Sequence, residues 1–348
     1  MTFPTIETDQ MQDNAWTNGE RKHYVIDQAI TPDYAAYRAD CVTTAAALPD
    51  NSVHFSIWSP PFLGMYQFSD AIEDMSNVTD DTQLLTAMDF LIVELARVMM
   101  PCRLVAIHCM NVPATYEHDG YIGIKDFRGD LIRAFQKHGF IYHSEVCIWK
   151  DPLVAATRTH ALGLAHKQIV KDSAMCRQGL PDYLVVMRKP GDNPEPVSHE
   201  PSGFKRYIGE LKREPKQEHR ADPSKNKYSH EVWQRYASPV WFDINPSDTL
   251  QRTSARDEDD SKHIAPLQLT VIRRAIELWT NPADIVFSCF AGIGSEGYVA
   301  LQEGRRFVGA ELKLSYYNQC VRNLDAALQS RQCGMLFQSE GLAPQVDL

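Results

Sequence analysis

The hydrophobic positions fall into short apolar runs separated by stretches of helical period. "VHFSIW" (53–58) and "RLVAIHC" (103–109) are near-continuous apolar runs of strand length, the pattern of strands buried on both faces. "TQLLTAMDFLIVELARVMMP" (82–101) repeats apolar residues at helical spacing and predicts a helix that stops at Pro101. "DFRGDLIRAFQKHG" (126–139) predicts a second helix, ended by Gly139, and "FIYHSEVCIWK" (140–150) and "DYLVVMRK" (182–189) predict strands. From Pro190 to about Ser261 the periodicity fades. "KPGDNPEPVSHEPSG" is rich in proline and glycine, and the region reads as a linker and a small irregular subdomain. Regular alternation returns with a helix in "APLQLTVIRRAIELW" (265–279), a strand in "DIVFSCF" (284–290), a helix from Ser295, a strand in "RFVGAEL" (306–312) and a last helix around "YYNQCVRNLDAALQ". Strands alternating with helices predict an α/β fold, a sheet with helices on both faces.

Composition narrows the class. With 348 residues, 44% hydrophobic and 23% charged, the chain matches an ordinary soluble globular protein able to bury a sizeable core. No apolar run approaches the length of a membrane span, and the polar, acidic start "MTFPTIETDQMQDNAW" is unlike a secretory or transit signal. The eight cysteines are scattered with no C-x-x-C pair, as expected for thiols in a reducing cytoplasm. His108-Cys109 is the one pairing with metal-ligand character, and it lacks a second pair at ligand spacing. The net charge of −10 argues against a polyanionic partner at first sight, but Phe204–Lys227 holds eight Lys/Arg against four Asp/Glu. A local basic patch on an acidic protein is compatible with nucleic-acid binding, and so is a solvated loop with the same charges.

Two stretches carry candidate chemistry. Ser59-Pro60-Pro61-Phe62 follows the first strand directly. Two prolines end the strand and leave either a stiff turn or a rigid ledge of oxygen acceptors beside a ring. Phe290-Ala291-Gly292-Ile293-Gly294 lies between a strand and a helix, with Glu311 at the end of the next strand. Glycines there permit a tight turn and close approach of a ligand, and an acid one strand later is placed to accept hydrogen bonds from ribose hydroxyls. A phosphate loop is disfavoured, because G-K-[ST] is missing and Glu296 stands where a phosphate would be repelled.

In this order the motifs resemble the S-adenosylmethionine-dependent DNA amino-methyltransferases of the permuted, beta-class arrangement. There the catalytic [DNS]-P-P-[FYW] motif comes first, a target-recognition region follows, and the F-x-G-x-G motif comes last. The resemblance rests on "YRADCVTTAAALPDNSVHFSIWSPPF" (37–62), on "KHIAPLQLTVIRRAIELWTNPADIVFSCFAGIGSEG" from Lys262, and on "GRRFVGAELKLSYYNQCVRNL" from Gly304. Two departures stand out. Ile293-Gly294-Ser295 replaces the frequent Ser-Gly-Thr, and Ala39 replaces the usual glycine before Asp40.

The resemblance implies a Rossmann-like methyltransferase sheet divided into a catalytic half (30–189), a linker and target-recognition region (190–261) and a cofactor half (262–330). It implies S-adenosyl-L-methionine as cofactor, held by Phe290, Gly292, Gly294 and Glu311, with Asp40 near the adenine and Lys262 and His263 near the carboxylate or closing the pocket. Catalysis falls to Ser59, Pro60, Pro61 and Phe62, and no metal is implied. DNA is the implied partner, with a flipped-out base and candidate contacts at Arg158, Lys167, Lys171, Arg177, Lys205, Arg206, Lys212 and Arg213. Serine before Pro-Pro is commoner among the family's cytosine-N4 enzymes, so cytosine is expected over adenine N6. An RNA or small-molecule methyltransferase and an inactive nucleic-acid-binding module are the other readings, and monomer or homodimer is left open.

Overall fold

The computed structural model describes residues 2–8, 16–17, 20–21, 25–61, 81–114, 116–154, 166–176, 178–210, 222, 225–251 and 266–339. Its centre is a nine-stranded sheet. In chain order the strands are β1 (Asp27–Ile30), β2 (Tyr34–Arg38), β3 (Val53–Trp58), β4 (Met99–Cys109), β5 (Ile141–Ile148), β6 (Asp182–Arg188), β7 (Val240–Trp241), β8 (Ile285–Ser288) and β9 (Arg306–Ala310). Across the sheet they run β7-β5-β6-β4-β3-β8-β9-β2-β1. Neighbours from β4 to β2 pair in parallel. β6 is antiparallel to both of its neighbours, β4 and β5, and β1 is antiparallel to β2.

The predicted alternation sorts residues to the two faces, because successive side chains of a strand point opposite ways. Ala35, Tyr37, Ile285, Phe287, Val308 and Ala310 face a core completed by α1 (Cys41–Ala47), α2 (Asp81–Val98) and α3 (Phe127–Lys137). Tyr34, Ala36, Phe55, Ile57, Val286 and Phe307 face a second core. That core is closed by α5 (Leu269–Trp279), α6 (Ser295–Gln302) and α7 (Leu314–Ser339). With both faces covered, strands such as β8 are buried throughout, which explains their unbroken apolar runs.

The helix expected to stop at Pro101 ends at Val98, and the strand begins at Met99. Pro101 lies inside β4, and the pairing to β3 jumps from Val53↔Met99 to Phe55↔Leu104. The extra residues are absorbed where proline offers no N–H to the ladder and Cys102 takes a positive φ of 60°.

The stretch 190–261, read from sequence as a linker and target-recognition region, contributes in its described part to the sheet and its packing. Val240–Trp241 extends the sheet as β7, parallel to β5. α4 (Lys227–Tyr236) packs with Phe204 and Ile208 against Leu278. The anchor is Arg274 of α5, which is fully buried. Its Nε donates to the Ile208 carbonyl at 2.9 Å and its Nη2 to Asp243 Oδ2 at 2.9 Å. The guanidinium lies 4.6 Å from the Trp241 ring centroid and 4.9 Å from that of Tyr236. A planar cation fits this combination of carboxylate and ring faces, and no hydrophobic pattern announces it.

Removing one partner of such a buried pair strands the other, which costs several kcal/mol. Arg274→Ala is expected to lose about 3 kcal/mol of stability in urea unfolding. A loss within that of an ordinary surface substitution would show that the anchor carries no weight.

Candidate active site

The chain leaves β3 toward β4 on one side and leaves β8 toward β9 on the other, so a crevice opens at the carboxyl ends of these two adjacent strands. Open α/β sheets bind ligands at such a switch point. Ser59-Pro60-Pro61 follows β3, and Phe290 to Gly294 follow β8. The strands are tied here by the Ser56 hydroxyl, which donates to the Phe287 carbonyl at 3.0 Å and accepts from the Trp58 indole at 3.1 Å. The Phe290 ring meets Trp58 edge-on, centroids 5.5 Å apart.

The two glycines of the turn have different reasons to be glycine. Both have positive φ, 53° at Gly292 and 85° at Gly294, a region other residues enter only with strain. A Cβ on Gly294 would come within 2.8 Å of Cys320 Sγ, so α7 packs directly on that backbone. A Cβ on Gly292 would meet nothing within 4 Å and would stand in open space. The Gly292 N–H donates to Glu311 Oε2, and Glu311 Oε1 accepts from the Lys313 N–H, each at 2.8 Å. The acid at the end of β9 therefore braces the glycine turn itself. Asn323 of α7 donates to the Ile293 carbonyl at 2.7 Å and holds the turn from behind.

Asp40 follows β2, the strand beside β9. Its carboxylate caps α1, accepting from the Thr43 N–H at 2.9 Å. Phe62, Lys262 and His263 lie outside the described residues, as do Arg158, Arg177, Lys212 and Arg213. Lys167, Lys171 and Lys205 are exposed. Arg206 is engaged with Glu303 and, at 3.6 Å, with Glu277, so its charge is answered within the fold.

Sequence reading weighed His108 only as a metal ligand and did not single out Asp182 or Lys150. In the fold, His108 Nδ1 lies 3.0 Å from Ser59 Oγ. His108 Nε2 approaches Asp182 Oδ2 to 3.2 Å, although the N–H direction departs from the line to that oxygen. Lys150 Nζ donates to Asp182 Oδ1 at 2.5 Å. Strand direction assembles this row. His108 is near the carboxyl end of β4 and Lys150 just past that of β5, whereas Asp182 begins β6. Only because β6 runs antiparallel between them does its first residue share their edge. Burial pushes the Asp182 carboxyl upward, but the His108 ring against one oxygen and the charge and hydrogen bond of Lys150 on the other outweigh it and hold the group below the usual carboxylate range.

Glu296, in the first turn of α6, is buried, and burial pushes its carboxyl up to about 8. A carboxyl raised in the folded state stabilises the fold fully below its unfolded value, and that contribution is lost as pH rises through the folded value. Stability should therefore decline between about pH 4.5 and about 8. Glu296→Gln should flatten that slope in denaturant titrations at a series of pH values. An unchanged slope would mean that Glu296 is ionised in the fold.

Residues 53–322 match the family model described as "DNA methylase". Among curated relatives, the type II methyltransferase M.BglI of Bacillus subtilis is 33% identical over 108 residues, 31% of this chain and 28% of that protein. The DNA adenine methyltransferase YhdJ of Escherichia coli K12 is 40% identical over 57 residues, 16% of this chain and 19% of that one. The chain thus matches about a quarter or less of the length of these two relatives. Among solved structures, the cytosine-N4-specific PvuII DNA methyltransferase aligns over 87% of this chain and 94% of its own, with a TM-score of 0.56 and 14% identity. TTHA0409 of Thermus thermophilus, solved with S-adenosyl-L-methionine, aligns over 83% and 93%, with a TM-score of 0.56 and 18% identity. These structural likenesses concern the fold, a central mostly parallel sheet with helices on both faces. The family match spans more than half of the chain, from the start of β3 into α7, and the chain belongs to the N6/N4 DNA methylase family.

Proposed function

We propose that this protein transfers a methyl group from S-adenosyl-L-methionine to the exocyclic amine of a DNA base, with cytosine N4 the favoured target. The observation that carries the reading is the meeting of the Ser59-Pro60-Pro61 ledge with the Gly292 cradle at one crevice. The cradle suits the cofactor. Gly292 leaves open the space a side chain would fill, Glu311 stands where ribose hydroxyls need acceptors, and Phe290 lines the turn. Asp40, beside Glu311's strand, is assigned to the adenine, and Lys262 and His263 to the mouth of the pocket. When bound, the cofactor supplies an electrophilic methyl group on a positively charged sulfur.

The protein's own task is to orient the nucleophile. The lone pair of a base amine is delocalised into the ring, which makes the amine a poor nucleophile. Acceptors at the Ser59 hydroxyl and the Pro60 carbonyl take the two amine hydrogens and favour a pyramidal nitrogen with its lone pair directed at the methyl carbon. Such acceptors act most strongly as positive charge develops on nitrogen. The prolines fix the ledge, and Phe62 is assigned to stack on the base, which must leave the duplex to reach it. Serine at the head of the ledge, as the resemblance to the family's cytosine-N4 enzymes implies, supports cytosine. The adenine-specific name of YhdJ keeps adenine N6 as the competing target.

Two measurements test this. Gly292→Val places a branched side chain in the cradle at a positive φ and should weaken S-adenosyl-L-methionine binding more than about tenfold in calorimetry, with the circular dichroism spectrum retained. Wild-type affinity in a folded variant would remove the cradle from the cofactor site. Nucleoside mass spectrometry of DNA treated with the purified protein should find N4-methylcytosine. Label found only as N6-methyladenine would reassign the target base.

A further inference from the structure

We propose that His108, held by Asp182 and Lys150, is the positioning residue that keeps Ser59 a hydrogen-bond acceptor toward the base amine and takes up, through Ser59, the proton that the methylated amine sheds. The inference rests on the reading of Ser59 as an acceptor for the amine.

A serine hydroxyl has one proton to donate and two lone pairs to offer. What it offers a substrate depends on where that proton goes. His108 Nδ1 lies 3.0 Å from Ser59 Oγ, and the Asp182 carboxylate lies 3.2 Å from the other ring nitrogen. Of the two neutral tautomers, the one protonated on Nε2 sets an N–H against the anion; the other sets a lone pair against it. The carboxylate thus selects Nε2–H and leaves a bare lone pair on Nδ1. Ser59 commits its one proton to that lone pair and turns its own lone pairs to the crevice. In this state serine behaves toward an amine as a carbonyl or carboxylate oxygen does.

The surroundings keep the arrangement in charge balance. Asp182 is buried and receives Lys150 at 2.5 Å on its second oxygen. Cys109, next on the strand, is buried, and burial pushes its thiol well up, so it stays neutral. Arg128 of α3 and Glu145 of β5 form a pair at 2.7 Å, and the same guanidinium lies 4.8 Å from the centroid of the Tyr183 ring. Among the described residues facing His108, the charges are therefore paired.

Proton balance completes the step. As the methyl carbon bonds to nitrogen, the electron pair of its former bond stays on sulfur. The amine now carries a positive charge and one proton too many. The N–H bond breaks toward Ser59 Oγ while the serine proton moves to His108 Nδ1, and the imidazolium forms beside the Asp182 carboxylate. Release of the proton to water after product departs restores neutral His108. Protonation of His108 before reaction reverses the polarity. Nδ1–H then donates to Ser59, and the serine proton is turned toward the amine it should accept from.

The test has a kinetic arm and a spectroscopic arm. Single-turnover methyl transfer to DNA should fall about tenfold per pH unit on the acid side, through one ionisation. Asp182→Asn removes the anion that stabilises imidazolium and should move that limb to lower pH. His108→Gln should lose about ten- to a hundredfold in rate, retain cofactor affinity and lack the limb; Ser59→Ala should lack it as well and serves if His108→Gln fails to fold. Nitrogen-15 NMR of the protein alone should find His108 Nδ1 unprotonated at neutral pH. An acid limb that persists in His108→Gln or Ser59→Ala, or a proton on Nδ1, would overturn the proposal. Wild-type protein that transfers methyl to no DNA would instead count against the proposed function, and the tautomer measurement would still decide the His108 assignment.

Discussion

The candidate site depends on the parallel pairing of β3 with β8, strands separated by more than two hundred residues in the chain. Val286 pairs with Phe55 and Phe287 with Ser56, and the Ser56 hydroxyl adds a buried side-chain bond across the seam. From this seam the chain turns outward in both directions, so the crevice above it cannot be filled by a crossover helix. The proline ledge and the glycine turn meet because they are the first residues past two strands that end together. Shifting either strand by one residue would invert its side chains between the two cores, so the register that packs the fold also aligns the site.

The antiparallel β6 adds what a purely parallel sheet would lack. It brings Asp182, the beginning of a strand, to the edge where all its neighbours end. A carboxylate so buried is stable there only with a cation against it. Lys150 supplies the cation, the His108 ring stands against the other carboxylate oxygen, and the ring so oriented reaches Ser59. The glycine turn follows a similar economy of parts, since Glu311 braces the loop by accepting two backbone amides while standing beside the open space at Gly292.

The middle of the chain is joined to α5 by a cation among rings. Arg274 gathers Ile208, Tyr236, Trp241 and Asp243 around one helix position. In consequence the described residues from Phe204 to Glu210 and around Trp241 are packed into the fold, and β7 extends its sheet.

The sequence by itself determined the element order, the α/β class, the ledge and the glycine turn. Each of these is local: strands buried on both faces need continuous apolar runs, turns at positive φ favour glycine, and two consecutive prolines cannot continue a strand ladder. Glu311 was legible for the same reason, as an acid at a fixed distance past the turn. Helix and strand limits were blurred at Pro101, where a bulge that only the pairing reveals kept proline inside a strand. The tertiary structure alone decided the partner of Ser59, the separate duties of Gly292 and Gly294, and the burial of Arg274. His108 and Asp182 lie on two different strands, Lys150 just past a third, and they share no spacing in the chain; strand direction brings them to one edge. Polar contacts between distant residues leave no periodicity to read, because hydrophobic patterning records which face a residue occupies and nothing of which residue it meets there.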